Sequence, residues 1–135
     1  MIRVLLADDH EVIRFGLRVL INATEDLDLV GSAADGLAAV AMAVRFDPDV
    51  VVMDLSMPVL DGISATEQIV RQLPFTRVLV LTSYGNDPIV RDALAAGASG
   101  YLLKDEQADS VIEAIRAVHR GDRPMAASVA RMHGR

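Results

Sequence analysis

Cysteine and tryptophan are absent from this chain of 135 residues, and only 4% of its residues are aromatic. The absence of cysteine excludes disulfides and thiolate metal sites, and it fits a reducing compartment. No apolar run approaches the ~20 residues that a membrane-spanning helix needs. The N-terminus also lacks the basic flank and long apolar stretch of a secretory signal. We therefore expect a cytoplasmic protein with no membrane segment.

Positive charge is scarce over most of the chain. Residues 1–115 hold eight basic and eighteen acidic side chains, a net charge of −10. Residues 116–135 hold five arginines against one aspartate, a net charge of +4. An acidic body disfavours non-specific binding to nucleic acid, and we expect the arginine-rich end to be solvated.

Four apolar runs each end on a polar side chain. The runs cover residues 2–7, 50–53, 78–81 and 101–103, and they are followed by Asp8 and Asp9, by Asp54, by Thr82 and by Lys104, in that order. Runs of this length, separated by segments of helical period, are typical of buried parallel strands. With residues 27–33 as a further strand, the pattern predicts an α/β fold of five βα units, with a parallel sheet covered by helices on both faces.

Turn and capping residues indicate the domain bounds. Asp35 and Asp61, each followed by glycine, mark the starts of helices, and residues 108–119 are predicted to form the last helix, which Gly121 closes. We expect one domain over residues 1–121. Residues 122–135 are then a linker-like basic tail that is too short to form a domain.

The polar groups at the strand ends are predicted to form one site, because ligands of open α/β sheets bind beyond the carboxyl ends of the strands. Asp9 and Asp54 suit direct binding of Mg2+, with Asp8 acting through water. The carboxylate of Asp54 can attack phosphorus to give an aspartyl phosphate. The metal and Lys104 would neutralise charge on the phosphoryl oxygens, and the hydroxyl of Thr82 could donate a hydrogen bond to one of them.

Lys104 is the only lysine among thirteen basic residues. Arginine is a wide planar fork, whereas lysine is a compact point charge that reaches a single phosphoryl oxygen. Taken one at a time, the strand-end residues have ordinary explanations, such as helix capping by Asp8 or Asp9. Their joint placement favours a site.

The order and spacing of these motifs resemble the receiver domains of bacterial response regulators. The motifs are Asp8-Asp9-His10-Glu11, Asp54-Leu55-Ser56-Met57-Pro58 with Asp61-Gly62, Leu81-Thr82-Ser83, and residues 97–105 (GASGYLLKD). The match covers about residues 2–121, and its first and last motifs are similar to the NarL/FixJ subfamily, whose receivers usually precede a LuxR-type helix-turn-helix. The resemblance implies a flavodoxin-like (βα)5 fold with strand order 2-1-3-4-5.

The resemblance also implies a reaction. Asp54 would accept a phosphoryl group from a phosphohistidine on a sensor histidine kinase, in a Mg2+-dependent step. Asp8, Asp9, Asp54 and the backbone carbonyl of Ser56 would hold the metal ion. Such a domain is not an enzyme in the usual sense, but it catalyses its own phosphorylation and dephosphorylation.

Other residues would read or tune the phosphorylated state. Thr82 and Lys104 would sense the phosphoryl group, and Tyr101 would be the aromatic switch that turns inward as Thr82 moves. Ser56 and Tyr84 occupy the variable positions beside the phosphorylation site, and the bulk of Tyr84 is predicted to slow attack by water.

One position departs from the family pattern. Many receivers have a proline after the lysine, in a cis bond, whereas Asp105 follows Lys104 here. We expect a trans bond, because a cis bond before a residue other than proline costs ~2.5–4 kcal/mol.

Two other kinds of protein compete with this interpretation. Phosphatases or phosphotransferases of the haloacid-dehalogenase type also use a strand-end aspartate, but theirs belongs to an Asp-x-Asp pattern after the first strand. Here Asp54 follows the third strand, and Ser56 stands where the second aspartate would be. A docking module that works without phosphorylation would be expected to lose one of the strand-end residues. The chain contains neither of the glycine-rich loops that bind nucleotides, G-x-G-x-x-G after the first strand or G-x-x-x-x-G-K-[ST].

The residues after Gly121 leave no room for a helix-turn-helix. We expect DNA contact only through an output domain outside this chain, and the chain would then be an excised receiver. The alternative is a receiver that acts alone through protein contacts. A homodimer through surfaces of the last helices is compatible with the sequence.

Overall fold

The computed structural model describes residues 1–105 and 108–126. The strands are β1 (Ile2–Ala7), β2 (Leu27–Ala33), β3 (Val50–Met53), β4 (Arg77–Thr82) and β5 (Gly100–Leu103). The helices are α1 (Glu11–Asn22), α2 (Gly36–Phe46), α3 (Gly62–Gln72), α4 (Asp87–Ala95) and α5 (Ala108–His119). Neighbouring strands pair in parallel in the order β2-β1-β3-β4-β5, which confirms the predicted sheet and its strand order.

Helices cover both faces of the sheet. Successive side chains of a strand point to opposite sides, so each strand contributes to both apolar layers. Along β1, Val4 and Leu6 join an apolar cluster with α1 and α5, whereas Leu5 and Ala7 join a cluster with α2 and α3. A third cluster, around Tyr101, packs against α4. The strands therefore read as continuous apolar runs in the sequence. Within the described ranges, no helix is long and apolar enough to cross a membrane.

Polar caps and tight turns fix the loops at the carboxyl edge of the sheet. The side chain of Asp61 accepts a hydrogen bond from the backbone N–H of Ser64 and so caps α3. Before that cap, the N–H of Gly62 donates to the carbonyl of Leu55 at 2.9 Å. The loop between β3 and α3 is thereby held close to the end of β3.

The chain turns back after α5 at Gly121, which has a φ of +97°. Met125 then forms a parallel bridge with Tyr101 of β5, and Ala126 is buried. Residues 122–126, the first part of the predicted linker-like tail, therefore lie against the edge of the sheet. Residues 127–135 of that tail fall outside the described residues.

Two glycine-to-alanine substitutions should have opposite effects on stability. A Cβ at Gly62 would lie 2.0 Å from the carbonyl oxygen of Asp54, so Gly62→Ala should cost about 1–3 kcal/mol through forced movement of the loop. Gly16 lies within α1, and a Cβ there meets nothing within 4 Å. Gly16→Ala should therefore raise the free energy of unfolding by up to about 1 kcal/mol through helix propensity. Urea unfolding measures both changes, and an equal loss in the two variants would contradict the packing described here.

Candidate functional site

Five polar residues stand at the carboxyl ends of strands, along one edge of the sheet. Asp8 and Asp9 follow β1, Asp54 follows β3, Thr82 ends β4 and Lys104 follows β5. Backbone hydrogen bonds continue the strand ladder into these positions: the N–H of Asp54 donates to Ala7 at 2.9 Å, and the N–H of Lys104 donates to Thr82 at 2.8 Å. The sheet therefore fixes where each of these backbones ends.

One ammonium group lies between two buried carboxylates. Nζ of Lys104 is 2.8 Å from Oδ2 of Asp8 and 3.3 Å from Oδ2 of Asp54. Asp8 is 4% exposed and Asp54 is 2% exposed, so water screens these charges poorly. Buried charges need such partners, because an unpaired buried charge is very costly.

The charges in the pocket do not balance. Burial raises the pKa of Asp54, and the negative charge of Asp8 raises it further, while Lys104 offsets only part of the effect. Burial lowers the pKa of Lys104, but its hydrogen bond to Asp8 and its attraction to both carboxylates outweigh this, so the net shift is upward. Lys104 therefore stays charged, and a further cation near Asp54 would be favourable.

His10 joins this group, which the sequence analysis did not anticipate. Its Nδ1 lies 2.9 Å from Oδ1 of Asp8 and 3.2 Å from Oδ1 of Asp9. The same nitrogen is 3.9 Å from Oδ2 of Asp54 and 3.2 Å from Nζ of Lys104, and the ring is 59% exposed. The one signal in the sequence was its position directly after the Asp8-Asp9 pair.

The donor atoms fit a divalent cation. Asp8, Asp9, His10 and Asp54 each offer one ligand atom, and these atoms lie within 4.8 Å of one another. Three carboxylates suit a hard cation such as Mg2+. Ser56 lies beside them, with its backbone nitrogen 3.5 Å from Oδ1 of Asp54.

The predicted sensing and switch residues are linked through Tyr84. Thr82 is fully buried, and among the described residues its hydroxyl has no hydrogen-bond partner. Tyr101 is also fully buried, with its ring turned inward, and its hydroxyl donates to the backbone carbonyl of Tyr84. Burial raises the pKa of Tyr101 to about 12, so this hydroxyl keeps its proton. The side chain of Tyr84 itself is half-exposed.

All peptide bonds in the described ranges are trans. The bond between Lys104 and Asp105 is therefore trans, as expected from the sequence.

Comparison with known proteins identifies the family. Residues 4–116 match the family described as "Response regulator receiver domain". The chain belongs to this family. The receiver is 45% identical over 130 residues to the transcriptional regulatory protein LiaR of Bacillus subtilis (strain 168), with 96% of this chain covered. It is 40% identical over 121 residues to the oxygen regulatory protein NreC of Staphylococcus carnosus (strain TM300), with 89% covered.

The receiver spans only part of these relatives, 62% of LiaR and 56% of NreC. Two solved structures match it over nearly their whole length. A LuxR-family two-component response regulator from Aurantimonas sp. SI85-9A1 is 35% identical with a TM-score of 0.91, over 97% of this chain and 94% of that one. The isolated REC domain of RcsB from Salmonella enterica serovar Typhimurium, in the presence of phosphomimetic BeF3-, is 30% identical with a TM-score of 0.87, over 97% of each chain. The predicted receiver fold and its relation to LuxR-type regulators are confirmed.

Removing the carboxylate of Asp54 should stabilise the receiver when no divalent cation is present. Because its pKa is raised in the folded state, ionisation of Asp54 costs free energy that is absent below the ordinary pKa of 3.8 and fully present above the raised value. Asp54→Asn avoids this cost, and Lys104 keeps Asp8 as its partner. We expect a higher Tm at pH 7, by about 4 °C for each kcal/mol gained.

The measurement is thermal unfolding over a pH series with a chelator present. The difference between Asp54→Asn and the wild type should shrink as the pH falls toward 3.8. Asp92→Asn is the matched control, because it removes an exposed carboxylate from α4. A wild type as stable as Asp54→Asn at neutral pH would contradict the charge imbalance.

Proposed function

We propose that this receiver accepts a phosphoryl group on Asp54 from a sensor histidine kinase and thereby controls a DNA-binding output. The observation that carries the proposal is the ammonium of Lys104, which lies between the buried carboxylates of Asp8 and Asp54 at the carboxyl edge. Relatives of the chain are named as transcriptional regulators. On the same ground we place its action in the cytoplasm, where a regulator of transcription meets DNA.

The proposed step is a displacement at phosphorus. An Oδ atom of Asp54 forms a bond to the phosphorus of the phosphohistidine, the P–N bond breaks, and the imidazole nitrogen keeps its electron pair. An ionised carboxylate needs no general base for this attack. Lys104 is already hydrogen-bonded to Asp54, so its ammonium is placed to offset charge on the phosphoryl oxygens. The receiver thus contributes to its own phosphorylation by positioning and by charge.

Asp8, Asp9, Asp54 and the carbonyl of Ser56 would hold Mg2+ in this proposal. When bound, Mg2+ supplies positive charge that stabilises the transferring group. The imbalance of two buried carboxylates against one ammonium supports this assignment.

The switch is a shift between two populations. A phosphoryl oxygen would give the hydroxyl of Thr82 a partner that it otherwise lacks among the described residues. The hydroxyl of Tyr101 donates a hydrogen bond to the carbonyl of Tyr84, two residues beyond Thr82. Movement of the loop after Thr82 is therefore coupled to the position of the Tyr101 ring. A ligand shifts such an equilibrium only by its differential contacts with the two states.

The test is the intact mass after incubation with acetyl phosphate and Mg2+. We expect a gain of one phosphoryl group in the wild type and no gain in Asp54→Asn. Asp92→Asn, which removes an exposed carboxylate, should gain the group like the wild type. No gain in the folded wild type would overturn the proposal and favour a docking module that works without phosphorylation.

Tyr84 is expected to prolong the phosphorylated state, because the bulk of its half-exposed ring, two residues beyond Thr82, would hinder attack by water. Tyr84→Ala should lose the phosphoryl group about threefold to tenfold faster than the wild type, which corresponds to about 0.7–1.4 kcal/mol of barrier. Tyr84→Phe keeps the ring and should lose the group at the wild-type rate. The decay of the phosphorylated mass measures all three rates, and slower loss from Tyr84→Ala would show that bulk does not protect the site.

A further inference from the structure

The chain beyond α5 is hydrogen-bonded to the middle of β5. The N–H of Tyr101 donates to the carbonyl of Pro124 at 2.9 Å, and the N–H of Ala126 donates to the carbonyl of Tyr101 at 2.8 Å. These bonds form the parallel bridge between Tyr101 and Met125. We call residues 123–126 the strap. It pairs with one residue of the edge strand, and that residue is the predicted switch.

The strap is also packed against the body of the receiver. Ala126 is 3% exposed and belongs to the apolar cluster that contains Tyr101 and Val90 of α4. Gly100 makes the approach possible, because a Cβ there would lie 2.9 Å from Cγ of Pro124 and 3.0 Å from its carbonyl oxygen. A solvated tail would have neither a buried side chain nor a matching gap in β5.

Tyr101 therefore connects two separate parts of the chain. Its backbone N–H and carbonyl both bond to the strap, and its ring shares a cluster with Ala126. Its hydroxyl reaches the opposite way and donates to the carbonyl of Tyr84, in the loop that begins at Thr82. A change at Thr82 that loosens or fixes the inward ring therefore acts on a side chain in the same apolar cluster as Ala126.

We propose that docking of the strap and phosphorylation of Asp54 favour each other through the inward position of Tyr101. The inference rests on the proposed function, and it adds a way in which phosphorylation of Asp54 would act on the segment after α5. Because coupling between two sites is reciprocal, phosphorylation should hold the strap more firmly, and an unseated strap should weaken the phosphorylated state. The stability of strap docking thus depends on whether Asp54 is phosphorylated.

The first test is amide hydrogen exchange, followed by NMR, with and without acetyl phosphate and Mg2+. The N–H groups of Ala126 and Tyr101 report the two strap bonds directly. After phosphorylation, both should exchange at least about fivefold more slowly. The N–H of Ser99, which donates to Val78 at 2.8 Å, is a reference that should change little. The intact mass of the same sample shows whether phosphorylation occurred.

The second test uses the phosphomimetic beryllofluoride with two variants that each change the net charge by one unit. Ala126→Asp places a charge at the buried strap position, and we expect its affinity for beryllofluoride to fall about fivefold or more. Arg123→Gln alters an exposed position of the strap and should bind like the wild type. The exchange measurement needs only the wild type, so it decides the matter even if Ala126→Asp fails to fold.

The possible outcomes separate the two proposals. A full phosphoryl gain with unchanged exchange at Ala126 and Tyr101 would overturn the coupling and leave the strap as a static cover of the sheet edge. Faster exchange at both amides would reverse its sign and equally overturn it. No phosphoryl gain would refute the proposed function, and the coupling with it.

Discussion

The ammonium of Lys104 holds together a site whose carboxylates would otherwise repel each other. Asp8 and Asp54 are both almost fully buried, and each lies within 3.3 Å of that nitrogen. The three groups come from the ends of β1, β3 and β5, so the contact exists only when the whole sheet has formed in the right order. Burial raises the pKa of Asp54, the charge of Asp8 raises it further, and the single cation of Lys104 offsets only part of the two effects.

The surrounding loops keep this arrangement from relaxing. Where β3 ends, Gly62 brings the loop so close that a Cβ would lie 2.0 Å from the carbonyl oxygen of Asp54. Asp61 caps α3 at the same point, and the N–H of Asp54 is tied to Ala7 of the neighbouring strand. The carboxylate therefore cannot escape its repulsion by moving its backbone. Rigid elements around a charged group let it attract a ligand cation rather than rearrange.

The sequence predicted those parts of the molecule that apolar periodicity and strand ends determine. The predicted strand 27–33 and helix 108–119 have the bounds of β2 and α5, and the strand-end residues Asp8, Asp54 and Lys104 are in contact. The contacts of His10 were not predictable, because they depend on the path of a loop and on an exposed ring. The strap was missed for a different reason: its bonds are made by backbone groups, and its fit depends on the missing side chain of Gly100, so residues 123–126 show no periodic pattern.

In the proposed switch, the buried hydroxyl of Thr82 determines how far the two arrangements can differ in free energy. Within the described residues it lacks a hydrogen-bond partner, a state that costs about 1–3 kcal/mol in a protein interior. A ligand that satisfies this hydroxyl in only one arrangement would favour that arrangement by a similar amount, and each 1.4 kcal/mol is about tenfold in population. Under the proposed function, this single buried hydroxyl is therefore sufficient to bias the contact between Tyr84 and Tyr101.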